Sequence, residues 1–443
     1  MTYPEFAKSA MDYAKRKGCD SSELFYADGE SFEVNANEGE IDRYSVSRES
    51  GVSVRVSYRG HEGYAYTEAI EDPQRLVDHA IDNAACIESE DERPMQTKQT
   101  YQTVLREDSA LKQISESDRI ALVKRLESLC LAADARVKRV VYCSAEYGAG
   151  NVVLENSLGL CAQKSSNHSI IYAMPSVQEG EEVQTGFAFR MGRDAADLEG
   201  CAKEAVADAL GKLGGKPVDS GNYRVLLKPY AMCDLLAAFS PMFSADNAQK
   251  GCSLLAGKEG LQIASKLVTL WDDPFDPIAP RAFDGEGTPC RKKAVIENGE
   301  LKTLLHNLKT ARKAGVESTG NASRGSAAAT VGISPTVFRL ETGSASCENL
   351  VSELCDGLII TELEGLHAGV DEISGDFSLK AAGFLAESGV VRRPVSNITI
   401  AGNFVTLMKD ITALGNDLRV AMPQGGYYAA PSVLVRRLTV AGI

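Results

Sequence analysis

The hydrophobic positions in the first half of the chain switch between two periods. Phe6, Ala10, Tyr13 and Ala14 recur at helical spacing between Pro4 and Gly18, which predicts an amphipathic N-terminal helix. Phe32, Val34 and Ala36 alternate with polar residues, as do Val52, Val54, Val56 and Tyr58 with Ser53, Arg55 and Ser57. A period of two with one polar face predicts half-buried strands of an antiparallel sheet. The helical period returns over 72–86, with Leu76, Val77, Ala80, Ile81 and Ala84 on one face. It returns again over 117–130, with Ile120, Val123, Leu126, Leu129 and Cys130 inward. Gly63-Tyr-Ala-Tyr66 ahead of the first of these helices is matched by Gly186-Phe-Ala-Phe189 ahead of an Ala-rich helix carrying Leu198, Ala202, Ala205 and Ala209. This weak repeat reads either as a duplicated strand-helix unit or as chance similarity between two amphipathic units.

Four glycines and a proline in Gly211-Lys-Leu-Gly-Gly-Lys-Pro-Val-Asp-Ser-Gly221 mark a domain junction. Residues 1–215 are read as an N-terminal mixed α/β domain with antiparallel strands and Ala-rich helices. Residues 222–443 are read as a β-dominated domain with a few helices, so the fold class is α+β. Beyond the junction a strand is expected over 223–227. Asn298-Gly299 supplies the positive φ values of a type I′ hairpin between 294–297 and 300–305. Further strands are expected at 336–340, 358–363, 376–387, 396–400 and 432–440, and helices at 230–243, 346–354 and 404–414.

Composition narrows the function classes. Over 443 residues the formal charge is −14, a sign that repels phosphate backbones, so no direct nucleic-acid partner is expected. The short basic run Arg291-Lys292-Lys293 is read as a solvated strand end. No apolar stretch approaches the roughly 18 residues of a membrane span, and the N-terminus has no signal-peptide core, which predicts a soluble cytoplasmic chain with no membrane partner. The 11 cysteines are odd in number and contain no C-x-x-C, so reduced and mostly buried thiols are expected.

Most catalytic motifs are absent from the sequence. Gly-Lys at 211, 215 and 257 is never followed by Ser or Thr, and no G-x-S-x-G is present, which weighs against a phosphate-loop enzyme or an α/β hydrolase. His61-Glu62 has no second histidine after it and reads as a turn into a strand, not as a zinc helix. His367-Ala-Gly-Val-Asp371 lies between Glu362 and Glu364 on one side and Ser374-Gly-Asp-Phe-Ser378 on the other. Such a loop either lines a cleft or is a turn whose Asp and Ser side chains cap backbone groups. Asp272-Asp273-Pro274 and Asp284-Gly-Glu-Gly287 lack the calcium-loop spacing and read as caps and turns.

Several segments, in order, resemble the TldD/PmbA family, also called modulators of DNA gyrase. They are Gly51-Val-Ser-Val-Arg-Val, Gly63-Tyr-Ala-Tyr-Thr67, Asn156-Ser-Leu-Gly159, Lys250-Gly-Cys-Ser-Leu254, Trp271-Asp-Asp-Pro274, Phe283-Asp-Gly-Glu-Gly287, Ser318-Thr-Gly-Asn-Ala322, Gly365-Leu-His-Ala-Gly-Val370, Ser374-Gly-Asp-Phe-Ser378 and Gly415-Asn-Asp417. The resemblance implies a zinc peptidase assembled from two related subunits, the TldD-like one carrying H-E-x-x-x-H and a cysteine ligand near its C-terminus. Here the equivalent helix has Ala237, Ala238 and Met242 where His, Glu and His would stand, and residues 418–428 contain no cysteine. Alanine and methionine neither bind zinc in this setting nor move protons. The resemblance therefore implies a PmbA (TldE)-type subunit with no catalytic residue and no metal, zinc being held by a TldD-like partner in a heterodimer. In the absence of that partner a homodimer is expected. Unfolded peptides are the implied substrates, bound as an added strand or extended segment, with Arg324, His367 and Asp376 as candidate cleft residues. A stand-alone homodimeric peptide-binding or regulatory protein is the alternative. A metal-independent hydrolase using Ser323 or Ser378 with His367 lacks an activating constellation.

Overall fold

The computed structural model describes residues 1–86, 93–105 and 107–443. Helix α1 (Tyr3–Arg16) has a proline in its first turn, and the Glu5 carboxylate accepts from the Thr2 N–H at its start. It buries Phe6, Ala7, Ala10 and Ala14. Three antiparallel strands follow, β1 (Ser21–Asn37), β2 (Glu40–Tyr58) and β3 (His61–Thr67), and then α2 (Pro73–Cys86). The same order recurs as α3 (Glu116–Ala133), β4 (Val137–Asn156), β5 (Cys161–Glu179), β6 (Glu182–Thr185), β7 (Ala188–Met191) and α4 (Leu198–Gly211).

All seven strands form one sheet ordered β3-β2-β1-β4-β5-β6, with β7 also on β5. The halves meet where β1 and β4 run antiparallel, from Glu23 opposite Asn156 to Asn35 opposite Ser144. The weak repeat is thus a structural duplication, and its glycines have one job in both copies. A Cβ on Gly63 would lie 1.8 Å from the Ala80 carbonyl oxygen, and one on Gly186 would lie 2.1 Å from that of Ala205. Each strand therefore passes its Ala-rich helix at backbone contact, which only glycine permits.

The second half opens with β8 (Gly221–Leu227) and α5 (Pro229–Phe239). The strands Val390–Asn403, Asp376–Glu387 and Gly357–Glu364, then β8 and Val433–Ala441, pair in that order, and the last pairs back to the first, closing a barrel. A second sheet holds Leu270–Asp272, Lys293–Glu297 and Val337–Leu340. The apolar core lies around α5, where Phe239 stacks on Phe404 at 4.6 Å between ring centroids. Overall the chain is 24% helix and 40% strand, with a strand-rich C-terminal region, as the pattern predicts.

Three expectations need correction. The helix expected over 230–243 ends at Phe239, because Pro241 has no N–H to give, and Ser240–Phe243 tightens into a 3-10 turn. The helix expected over 404–414 is Phe404–Lys409, and Ile411–Leu414 is a strand paired to Val433–Ala441. The hairpin of β4 and β5 was not expected, and β2 starts at Glu40, well before Gly51. All 11 cysteines are free thiols. Among the described residues, no helix is long and apolar enough to cross a membrane.

Candidate functional site

Helix α5 turns its apolar side, Leu235, Leu236 and Phe239, into the core. Met242 in the 3-10 turn is also fully buried and packs with Phe243, Leu255, Phe404 and Met408. Ala237 and Ala238, one turn on from Asp234, are half-buried and pack at the margin of the same core. Residues 418–428 run against this helix. The Cys233 thiol donates to the Arg419 carbonyl at 3.7 Å, and the Gln424 amide donates to Asp234 Oδ1 at 3.0 Å. Ser240 Oγ and the Tyr428 hydroxyl share a buried hydrogen bond of 2.9 Å. The two segments in which the resemblance places metal ligands therefore do meet, and other side chains bond them together. Burial pushes the Asp234 carboxyl up to about 6, against the hydrogen bond from Gln424.

These residues do not fit a zinc ion. Zinc takes about four N, S or O donors. Ala237 and Ala238 offer methyl groups, and the Met242 thioether is sealed in the apolar core. Among the described residues, no group of three or more His, Cys, Asp or Glu side chains is disposed to hold a metal.

A cavity of about 460 Å³ opens at the C-terminal end of α5. Ser240, Pro241 and Ser244 line it together with residues 330–335, which include the strand Gly332–Ile333. Arg93 reaches it from the N-terminal half, and Glu286 contributes a buried carboxyl. Glu286 Oε2 accepts from the Leu308 N–H at 2.8 Å. Burial, and then the nearby Asp284, push Glu286 from its ordinary 4.5 up to about 7. The folded state thus holds this proton more tightly than the unfolded chain does. Its contribution to stability is complete below about pH 4.5 and is lost as pH rises through about 7. Glu286→Gln keeps an acceptor for Leu308 and removes the charge. It should match the native chain at pH 5 and exceed its stability at pH 8 by about 2–3 kcal/mol, read from denaturant midpoints. Equal stability differences at both pH values would refute the raised affinity.

The acidic motifs near this cavity are scaffold. Asp272, fully buried, accepts from Lys293 Nζ and Asn321 Nδ2, each at 2.7 Å, and from the Thr336 N–H at 2.6 Å. Asp284 accepts from the N–H groups of Glu286 and Thr288 at 2.9 Å and of Ala322 at 3.0 Å. Asp284 thus has the turn role expected of it, as does Asp273, which accepts from the Phe275 N–H; Asp272 does not, since it ends a strand and forms a buried ion pair with Lys293. The solvated reading of the basic run fails for Lys293, whose side chain is 11% exposed because Asp272 draws it inward. Arg324 is 3% exposed, its guanidinium 4.0 Å from Glu23 Oε1 and over the Phe25 ring at 4.4 Å. Glu23 lies opposite Arg55 across β1 and β2, with a 3.1 Å ion pair. Arg324 therefore ties the second half of the chain to the N-terminal sheet.

The C-terminal domain model of the PmbA/TldA metallopeptidases matches residues 220–442, domain 1 matches 22–84 and the central domain matches 110–213. The chain belongs to the PmbA/TldD metallopeptidase family. The two N-terminal matches fall one on each half of the duplication. Metalloprotease PmbA of Escherichia coli O157:H7 is 25% identical, over 99% of this chain and 96% of that protein. A solved Thermotoga maritima structure, assigned as a modulator of a DNA gyrase, is 33% identical with a TM-score of 0.92, over 99% of this chain and 100% of that one. TldE from Thermococcus kodakarensis, 24% identical, shares the fold with a TM-score of 0.90, over 99% of this chain and 100% of that one.

In this PmbA/TldD chain the three candidate cleft residues do not come together. His367 is exposed on the loop between two barrel strands. Asp376, at the other end of that loop, accepts from Ser374 Oγ at 3.1 Å and Asn403 Nδ2 at 2.9 Å, so it braces the turn. Among the described residues, neither shares a bonding partner with Arg324. Among the described residues, no hydrogen bond joins His367 to Ser323 or Ser378. Sequence reasoning missed Glu23, Arg55 and Glu286. Arg55 sits between Val54 and Val56 and reads as solvent-facing, because alternation assigns one face of such a sheet to water. Here the second half of the chain covers that face.

Proposed function

We propose that this chain is the zinc-less, non-catalytic PmbA/TldE-type subunit of a two-chain metallopeptidase that acts on unfolded peptides. The observation that carries the proposal is the replacement of the expected ligands and base on α5 and the turn after it, at Ala237, Ala238 and Met242. Attack of water on a peptide bond needs an electrophile and a base. Methyl groups supply neither. The cavity beside α5, with the short strand Gly332–Ile333 on its wall, suits an extended peptide added edge-on, and a TldD-like partner would bring the zinc. His367 and Asp376 would meet the peptide from the barrel-end loop, while Arg324 would hold the N-terminal sheet in place behind the cleft. Affinity purification of the tagged chain from its native cell tests the partnership. A TldD-like chain should co-purify in near-equal amount. Recovery of this chain with no TldD-like chain would favour a stand-alone homodimeric peptide-binding or regulatory protein.

A further inference from the structure

The cavity at the end of α5 runs against the charge of the whole chain. The formal charge is −14, yet three cations, Arg93, Lys250 and Lys309, line this cavity against two acids, Asp246 and Glu286. Lys250 Nζ meets Asp246 Oδ2 at 2.5 Å, four residues back. The Glu286 carboxyl, raised to about 7, is mostly protonated at pH 6. The lining therefore keeps a positive balance.

Arg93 is fixed at this cavity by its backbone. Its N–H donates to Glu62 Oε1 at 3.1 Å, and its carbonyl accepts from Arg55 Nη1 at 3.2 Å. Arg55 is itself buried and ion-paired to Glu23 at 3.1 Å. The buried contact between the two halves of the chain thus holds the Arg93 peptide in place. Its exposed side chain stands close enough to Lys250 for the two charges to repel. Asp246 pairs with Lys250, and Arg93 comes from the other half of the chain to set a second positive charge beside that pair. Such an arrangement favours an anion in the same space.

The cavity wall offers a peptide little other purchase. The strand Gly332–Ile333 is two residues long, and Pro335 just beyond it has no N–H to pair. Backbone pairing there is limited to a few bonds, each modest in net worth, so a charge-assisted contact would supply much of the affinity.

We infer that this cavity grips a peptide by a carboxylate held between Arg93 and Lys250. The inference rests on the peptide-binding reading above and adds a substrate preference to it. Peptides with a free C-terminal carboxylate, or with an Asp or Glu side chain in its place, bind better than neutral ones.

Titration calorimetry of the full chain at pH 6 and about 0.1 M salt, with three acetylated hexapeptides of alanine and serine, tests it. One peptide ends in a free carboxylate, one in an amide, and one in an amide with a single internal glutamate. The neutral amide should bind at least about tenfold more weakly than one or both of the others. Which of the two binds tightly tells a terminal carboxylate from a side-chain one. Arg93→Gln and Lys250→Gln should each cut the preference for carboxylate over neutral peptide about five- to tenfold. Asp246→Asn, which frees Lys250, should raise it several-fold, a gain that mere loosening of the fold would not give. A neutral amide bound as tightly as both carboxylate peptides would overturn the inference and leave the peptide cavity standing. A preference indifferent to both glutamine variants would overturn the assignment to Arg93 and Lys250. No binding of any of the three peptides would count against the peptide-binding reading itself, and the inference would fall with it.

Discussion

Cleavage of unfolded peptides is expected to be negligible with this chain alone, weak or absent with a TldD-like chain alone, and clear when the two are mixed. On the proposed reading this chain would bring neither metal nor base to the peptide bond, and turnover would use the zinc of a TldD-like partner. The family segments from Lys250 to Asp417 persist around that helix, and the 460 Å³ cavity beside it remains open. A subunit that binds without cleaving still acts on rate by holding the peptide in place, since positioning alone can contribute several kcal/mol to lowering a barrier. Equal cleavage by the partner with and without this chain would remove that role. Chelator-sensitive cleavage by this chain alone, after stringent purification, would overturn the non-catalytic reading.

Asp272→Ala should be among the most damaging single changes to the fold. The carboxylate is fully buried and accepts three hydrogen bonds, from an ammonium, an amide and a backbone N–H. Its loss strands Lys293 in a site where 11% of the side chain reaches solvent. Breaking such a pair by removing one partner costs about 3–5 kcal/mol. For a region of this size that is a fall of roughly 6–20 °C in Tm. Adding Lys293→Met to the variant removes the orphaned ammonium and should recover part of the loss. A shift of only a degree or two in thermal denaturation would show that Asp272 is not a keystone.

The sequence carried the fold wherever apolar residues on one face of an element alternate with polar ones on the other, even where, as at Ser53 and Arg55, that second face is buried too. Residues 51–58 read as a strand because α1 and α2 cover Val52, Val54 and Val56. Residues 40–50 of the same strand did not, since their edge and much of their surface are open to solvent and alternation has nothing to record. β4 and β5 escaped for a related reason: their middle stretches lie between the two helix pairs and carry Gly148, Gly150, Ser165 and Ser166 in place of apolar residues. The Gly63 and Gly186 repeat was visible but ambiguous until each was seen against its helix backbone. The site was legible only in part. The resemblance located α5 and residues 418–428, and the fold brings them together. It gave no hint of Glu286, whose neighbours come from distant segments, or of the Glu23, Arg55 and Arg324 contact, which exists only because one half of the chain covers the other.

The metal content of this chain separates a zinc-less subunit from a catalytic one most directly. Equilibrium dialysis of the purified protein against micromolar zinc, followed by washing and elemental analysis, should leave well under about one tenth of an ion per chain, because α5 and residues 418–428 together offer no donor set for a site that needs about four ligands. A TldD-like chain treated in the same way should retain about one. About one tightly held zinc per chain of this protein, with its removal changing the fold or the activity, would contradict the assignment.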